Sequence, residues 1–189
     1  MSYYFTSDLH LGHTNIIKYA NRPFKDADEM NEAIIRNWNS VVTENDTVFV
    51  LGDVVFFSHE DKIKYVLNRL NGIKRLIWGN HDRKLHKIWQ KYFLTVNDIL
   101  TVNVPPELNN GKKGQEIVCC HYAMRVWNKS HYGAYHLYGH SHGTLPDDSK
   151  ALSCDVGVDC WNFTPVSMQQ INKHMSKKTF KPIDHHGKK

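Results

Sequence analysis

Five short apolar runs in this chain each end in Asp, Asn or His, and this repetition constrains the fold more than any other feature. The clearest run covers residues 76–82 and has the sequence LIWGNHD. The others lie at residues 5–10, 48–53, 118–121 and 137–142. In α/β proteins, ligands bind beyond the carboxyl ends of the strands. We therefore expect the fold to bring these five ends together around metal.

Hydrophobic spacing predicts the order of elements in the first half of the chain. Helical segments alternate there with three strands, at residues 3–7, 47–51 and 74–78. The longest helix is expected to begin after Asp26, with Glu29 as its capping-box partner. A strict β-α-β-α-β-α order predicts a parallel sheet with right-handed crossovers.

The second half has a different pattern, in which strands predominate. Residues 99–104 and 115–120 flank a segment rich in turn residues and predict a β-hairpin. Further strands are expected at residues 135–138 and 153–158, and a final helix near Ser167, with Gln170 as its capping partner. The sum is a two-sheet α/β/β/α sandwich, parallel in its first half and more antiparallel in its second.

Length and charge indicate one domain with a short tail. The 189 residues suit a single domain, which we place at residues 1–176. Residues 177–189 contain five lysines and one aspartate, which account for four of the five net positive charges. We expect this basic tail to be flexible, and the rest of the chain is not a basic surface.

Composition also predicts a location in the cytoplasm. The longest apolar runs are far shorter than the roughly 20 residues of a membrane helix, so no membrane partner is expected. The first residues lack the basic and apolar regions of a signal peptide. The four cysteines show no CxxC spacing, which favours reduced, mostly buried thiols.

The polar strand ends, taken together, resemble the calcineurin-like metallophosphoesterase superfamily, in particular small bacterial or phage-type phosphoesterases. The matching motifs, in chain order, are Asp8-x-His10, Gly52-Asp53, Gly79-Asn80-His81-Asp82, His121 and Gly139-His140-x-His142. They extend from residue 8 to residue 142. Asp82 resembles phosphodiesterase and nuclease branches more than protein phosphatases, which tend to have Glu at this position.

The resemblance implies two divalent metal ions at the strand ends. The implied ligands are Asp8, His10 and His142 for the first ion, Asn80, His121 and His140 for the second, and Asp53 as the bridge between them. Carboxylate, imidazole and amide ligands without thiolate suit Mn²⁺, Fe²⁺ or Zn²⁺. We expect Mn²⁺ foremost, with Fe, Zn or Ni as alternatives. The implied reaction is phosphoester hydrolysis by a metal-bridging hydroxide.

The resemblance also implies that His81 is catalytic without binding metal. It would face the leaving group or a phosphate oxygen, and Asp82 would orient it and hold its tautomer. A second role is open for Asp82, as the N-cap of a helix over residues 83–90.

Substrate contacts are expected near the first motif and between His121 and His140. The candidates are His13, Arg125, Trp127 and His131. Basic residues interleaved with aromatics suit a phosphate that carries a planar group, but a surface loop anchored by Trp127 fits the same residues. Phe56, where many relatives have an acid, either covers the core or offers a stacking surface for a base.

Three functions follow from these observations. The first is a phosphodiesterase that acts on nucleotides or nucleic-acid ends. The second is a phosphomonoesterase for proteins or small molecules. The third is a metal-binding scaffold without catalysis, which the complete ligand set disfavours. In the first two, the partner is a phosphate-ester substrate.

Overall fold

The computed structural model contains the predicted alternation of helices and strands. It describes residues 1–57, 59–109, 111 and 113–183, and of Leu85 and His86 only the backbone. Its first half contains β1 (Tyr3–Thr6), α1 (Thr14–Tyr19), α2 (Ala27–Val41), β2 (Thr47–Val50), α3 (Glu60–Leu67), β3 (Ile73–Ile77), α4 (His86–Tyr92) and β4 (Thr95–Asn97). Its second half contains β5 (Ile99–Val104), β6 (Gln115–Cys120), β7 (Tyr135–Tyr138), β8 (Ser153–Asp155), β9 (Val166–Ser167) and α5 (Met168–Met175).

These strands form two sheets flanked by helices, so the predicted fold class is confirmed. The first sheet has the order β4-β3-β2-β1-β9 and is parallel except for the pair of β1 with β9. The second has the order β5-β6-β7-β8. Fewer of its strand pairs are antiparallel than expected. β5 and β6 are antiparallel, whereas β6, β7 and β8 run parallel to one another.

The strand predicted at residues 153–158 ends three residues early, at Asp155. The chain then leaves the second sheet and joins the end of β1, where Gly157 forms a bridge with Ser7. The amide of Val158 donates to the Ser7 carbonyl over 3.0 Å. This crossing carries the residues after Val158 from one sheet to the other, beside the loop that follows β1.

Side chains of the first sheet alternate between two cores, as the two-residue period of a strand requires. Val48 and Val50 of β2 face the cluster that contains the α2 residue Trp38. Phe49 and Leu51 face the second cluster, which lies between the sheets. Because both faces of the first sheet are covered, its strands are held rigidly and their carboxyl ends stay in register.

Helix caps follow the sequence signals closely. Ser167 forms the predicted capping box with Gln170 at the start of α5. At α2, the Asp26 side chain accepts from the Glu29 amide over 2.8 Å. The Glu29 carboxylate, however, accepts from the Lys25 amide rather than from Asp26. At α2, the Glu29 carboxylate therefore binds the amide of Lys25, the residue before the N-cap, and not the amide of the N-cap residue Asp26.

The start of the predicted tail lies along the segment that leads into β8. The Lys178 ammonium group donates to the Asp147 carboxylate over 2.6 Å and to the Ser153 carbonyl over 2.7 Å. Residues 184–189 lie outside the described residues, so the division into domain and tail stays a prediction. All four cysteines are free thiols. Within the described ranges no helix is long and apolar enough to cross a membrane, and the cytoplasmic location stays a prediction.

Candidate metal centre

The loops that follow β1, β2, β3, β6 and β7 meet at one edge of the molecule. Backbone hydrogen bonds join them, among them the Asp8 amide to the Gly52 carbonyl over 3.0 Å. Two glycines permit the close approach, because a Cβ at Gly79 would overlap the Asp53 carboxylate and one at Gly139 would overlap the Asp8 carboxylate. The glycines in these motifs therefore make room for ligands.

The first ligand cluster consists of Asp8, His10 and His142. One ligand atom from each lies within 4.8 Å of the others. Oδ1 of Asp8 and Nε2 of His10 are buried, and neither has a hydrogen-bond partner. The two atoms lie 3.9 Å apart. Buried polar atoms without partners are costly, and a cation between them removes that cost. The cluster therefore fits a metal ion.

The second ligand cluster consists of Asn80, His121 and His140. Oδ1 of Asn80 lies 3.0 Å from Nε2 of His121 and 3.1 Å from Nδ1 of His140. Nδ1 of His121 donates to the Leu51 carbonyl over 2.7 Å, so the lone pair of Nε2 points towards the Asn80 oxygen. Two lone pairs that face one another call for a cation. Ligand atoms about 2.1 Å from one ion lie about 3 Å apart, as these do.

Asp53 lies between the two clusters. Its Oδ2 is 3.6 Å from Nε2 of His10 and 3.7 Å from Nε2 of His121. Its Oδ1 accepts from the His81 amide over 3.1 Å. Asp8, Asp53 and His121 form a second group whose ligand atoms lie within 4.8 Å of one another. One carboxylate thus faces a ligand of each cluster.

The backbone is strained at the ligands themselves. Of the nine non-glycine residues with positive φ among those described, five are expected ligands: Asp8, His10, Asp53, His140 and His142. Such a conformation costs of the order of 1–3 kcal/mol per residue and concentrates at functional sites. The surrounding packing enforces these turns, and each turn directs a side chain towards the shared space.

Burial shifts the pKa values of Asp8 and His10, two residues of the first ligand cluster, towards their neutral forms. Desolvation raises the pKa of Asp8 to about 7, although the nearby His121 and His142 lower it. Desolvation also lowers the pKa of His10 to about 2. Desolvation lowers the pKa of His142, but its hydrogen bond to Asp159 and the charge of Asp8 raise that pKa above its ordinary value. A divalent cation would supply a further counter-charge to the buried Asp8 carboxylate.

His81 stands at the rim of the centre. Its ring is 41% exposed, and Nε2 lies 3.8 Å from Oδ2 of Asp53. Asp82, in contrast, is fully buried. Its carboxylate accepts from the amides of Gly79, Asp53 and Val54, over 2.8, 2.8 and 3.1 Å.

The expected contact between Asp82 and the His81 ring is thereby corrected. Both oxygens of Asp82 serve backbone amides of the loops after β2 and β3, and the expected cap of residues 83–90 does not account for these bonds either. Three amide donors stabilise a buried carboxylate, even though burial raises the pKa of Asp82. Asp82 thus ties the loop of Asp53 to the end of β3.

Phe56 and His13 form an aromatic rim beside the first ligand cluster. Their rings are stacked, with centroids 3.8 Å apart and planes within 7°. Phe56 also meets the His81 ring edge-on at 4.9 Å, and its side chain is 42% exposed. The phenyl ring therefore faces outward at the centre and does not serve as core.

The other expected substrate contacts lie elsewhere. Trp127 is buried, and its indole N–H donates to the Ala134 carbonyl over 2.9 Å, as in the alternative of a loop anchor. With Arg125 and Phe180 it lines a separate cavity of about 420 Å³. The His131 ring packs on Tyr132 at 4.2 Å. Tyr122 instead contacts the centre, edge-on to His140 at 4.8 Å.

Three residues around the centre were not singled out by sequence patterns. Oδ2 of Asp159 accepts from Nδ1 of His142, and Arg22 binds the same carboxylate. Asp155 accepts from the Gly143 amide over 3.2 Å. The sequence Val-Gly-Val-Asp at residues 156–159 repeats the rule of an apolar run that ends in an acid, and this signal could have revealed Asp159.

Comparison with known proteins places this geometry in context. The model of the family described as calcineurin-like phosphoesterase matches residues 1–164. An uncharacterized protein of Methanocaldococcus jannaschii is 33% identical over 180 residues, which cover 92% of this chain and 91% of that protein. The gene 66 protein of Mycobacterium phage L5 is 28% identical, covering 84% of this chain and 86% of its own length.

A solved structure shows the same fold. The crystal structure of a protein of unknown function from Aquifex aeolicus superposes with a TM-score of 0.68 at 22% sequence identity. The match covers 92% of this chain and 98% of that one.

Proposed function

The chain belongs to the calcineurin-like phosphoesterase family and is a metal-dependent hydrolase of phosphoester bonds, and on this premise we propose that it is a phosphodiesterase acting on nucleotides or nucleic-acid ends. The observation that carries the proposal is the position of Asp53, whose Oδ2 faces His10 of the first ligand cluster and His121 of the second. A carboxylate at that point suits a pair of divalent ions, each completed by one cluster.

The residues of the two clusters would hold these ions, with Mn²⁺ as the preferred metal. When bound, such a pair supplies a deprotonated water as nucleophile and neutralises charge on the phosphate. The mixed oxygen and nitrogen donors of the clusters suit Mn²⁺, Fe²⁺ or Zn²⁺. The protein contributes the fixed arrangement, because strained turns and buried hydrogen bonds hold the ligands before a metal arrives.

His81 is proposed as the group that acts on the leaving oxygen. Its ring is at the rim and half exposed, next to but outside the ligand clusters. Nε2 can donate a hydrogen bond or a proton to the oxygen that departs from phosphorus. The His81 backbone amide donates to Asp53, which fixes the ring's distance from the centre.

The aromatic rim supports an ester with a planar group. Phe56 is stacked on His13 and exposed beside His81, where a planar substituent of the phosphate could stack on the rim. Stacking on an aromatic side chain contributes about 1–3 kcal/mol per base. An acid at this position would repel an anionic substrate, and the phenyl ring removes that repulsion.

The test compares esters with Mn²⁺-loaded protein. Methyl p-nitrophenyl phosphate and the p-nitrophenyl ester of thymidine 5′-phosphate share a leaving group and differ in the second substituent. We expect kcat/KM to be higher for the thymidine ester, and higher for both than for p-nitrophenyl phosphate, a monoester. A faster monoester reaction would favour the phosphomonoesterase alternative.

The same assay tests the role of Asp53. Asp53→Asn should abolish hydrolysis, because an amide places no charge between the two clusters. Asp98→Asn is a matched control, since the Asp98 carboxylate is 69% exposed and pairs with Arg83 at the surface. Activity of Asp53→Asn equal to that of the control would refute the proposed centre.

A further inference from the structure

We propose that Asp159 and Arg22 are positioning residues of the first ligand cluster, which set the orientation of His142 and of the loop that carries Asp8. This inference rests on the metal assignment of the proposed function and is independent of the substrate. It concerns two side chains that belong to neither ligand cluster and lie on opposite parts of the chain, after α1 and after β8.

Asp159 fixes the ring of His142. Nδ1 of His142 donates to Oδ2 of Asp159 over 2.8 Å. This bond places the proton of a neutral imidazole on Nδ1 and leaves the lone pair of Nε2 for a metal. It also disfavours a flip of the ring, which is 20% exposed. Carboxylates commonly orient metal-binding imidazoles in this way.

Arg22 fixes Asp159 in turn. Nε and one terminal nitrogen of the guanidinium group each donate to an Asp159 oxygen over 2.8 Å, in the two-pronged geometry that arginine forms with carboxylates. The Arg22 side chain is fully buried. A buried guanidinium group that faces a carboxylate keeps Asp159 charged and confines it to one position.

Arg22 also binds the backbone at the first ligand. The terminal nitrogen that contacts Asp159 donates to the Asp8 carbonyl over 2.7 Å, and the other donates to the Leu9 carbonyl over 3.1 Å. Asp8 has a φ of 57°, in the left-handed region that residues other than glycine adopt uncommonly. One side chain thus supports the strained turn of Asp8 and, through Asp159, the ring of His142.

The local fold directs Arg22 towards this place. The Arg22 amide donates to the Ile17 carbonyl over 2.8 Å, which closes a turn at the end of α1. Asn21 has a φ of 49° and reverses the chain direction there. The turn points Arg22 into the molecule, whereas a continued helix would carry it along the surface.

The experiment is a calorimetric titration of metal-free protein with Mn²⁺ in the absence of substrate. We expect two binding events in the wild type. Asp159→Ala should weaken one of them by about 10–100-fold and leave the other unchanged. Asp159→Asn keeps an oxygen that accepts from Nδ1 of His142, so it should recover part of the loss. Arg22→Lys keeps the charge and loses the two-pronged geometry, and it should weaken the same event.

Asp147→Asn is the matched control, because Asp147 also pairs with a histidine, His174, over 3.2 Å at the surface. Thermal unfolding of each metal-free variant shows whether it is folded. The inference is overturned if Asp159→Ala and Asp159→Asn both bind Mn²⁺ like the wild type, or if both events weaken equally, as loss of general stability would cause. A wild type that binds no divalent ion would refute the proposed function itself.

Discussion

The two ligand clusters of the metal centre are held in different ways. In the first, Asp8 and His10 are buried, and side chains outside the cluster restrain it: Asp159 binds His142, and Arg22 binds the loop of Asp8. In the second, Asn80 and His140 are exposed, and the Asn80 oxygen contacts both histidines directly. His121 of the second cluster is buried and donates to the Leu51 carbonyl, so the clusters differ mainly in the exposure of Asn80 and His140 and in the side chains that hold Asp8 and His142.

This difference predicts a hierarchy of metal sites. A preorganised site loses little conformational entropy when it binds, so the first cluster should bind its ion more tightly. The second cluster is open to water, which can replace a protein ligand. We therefore expect the first ion to stay bound during dialysis and the second to exchange with the solution.

The strongest test removes one ligand from each cluster. His10→Ala should lower kcat by about three orders of magnitude or more, because an ion in the centre stabilises several kcal/mol of transition-state charge. Asn80→Ala should cost less, since water can replace an exposed amide oxygen. Metal content after dialysis and kcat at saturating Mn²⁺ are the two measurements.

The comparison predicts a difference in rescue as well. High Mn²⁺ should restore much of the Asn80→Ala activity and little of the His10→Ala activity. Equal losses, equally rescued, would show that burial and outer contacts do not distinguish the clusters.

We expect a change at His81 to affect turnover and not metal binding. His81→Ala should lower kcat by about 100-fold, the lower end of the usual range for a single acid or base, because the ring is partly exposed and water can substitute for it. Both Mn²⁺ affinities should stay as in the wild type. A loss of metal affinity would instead place His81 among the ligands.

Much of this architecture can be predicted from local sequence. β5 and β6 have the predicted bounds, because each is a strand-length apolar run next to clear turn residues. Two edge strands of the first sheet lack such a signal. β4 has only three residues, all half-buried, and β9 has only two residues. Strands of this length are too short to show any periodicity. Their positions depend on the neighbouring strand and not on their own pattern.

The site shows the same division. The candidate ligands can be grouped from the sequence because each follows an apolar run, and the structure brings them close together. Asp159 also follows an apolar run, but its pairing with Arg22, 137 positions earlier in the chain, has no local signature. The resemblance predicts that Asp82 orients the neighbouring His81 ring, but Asp82 binds three backbone amides, and backbone donors cannot be distinguished in a sequence.

The smallest expected effect concerns the metal-free protein. Burial raises the pKa of Asp8 to about 7, so the folded protein binds a proton there more readily than the unfolded chain. The charged Asp8 carboxylate therefore does not destabilise the folded protein at low pH. Its destabilising effect begins as pH rises above the pKa of Asp8 in the unfolded chain and reaches its full size above pH 7. Asp8→Asn removes that charge and retains an oxygen that can accept from the His140 amide, as Asp8 does over 2.8 Å.

In the presence of EDTA, Asp8→Asn should thus be more stable than the wild type at pH 8, by up to about 4 kcal/mol, and by less at pH 5. Guanidinium unfolding at the two pH values measures both differences. Mn²⁺ should reduce this advantage of the variant at pH 8, because the wild type gains about 2.7 kcal/mol at a metal concentration 100 times its Kd, whereas the variant lacks a ligand of the first cluster. If Asp8→Asn is less stable than the wild type without metal, Asp8 stabilises the fold. The metal-free protein would then bear no free-energy cost at Asp8 that metal binding could relieve.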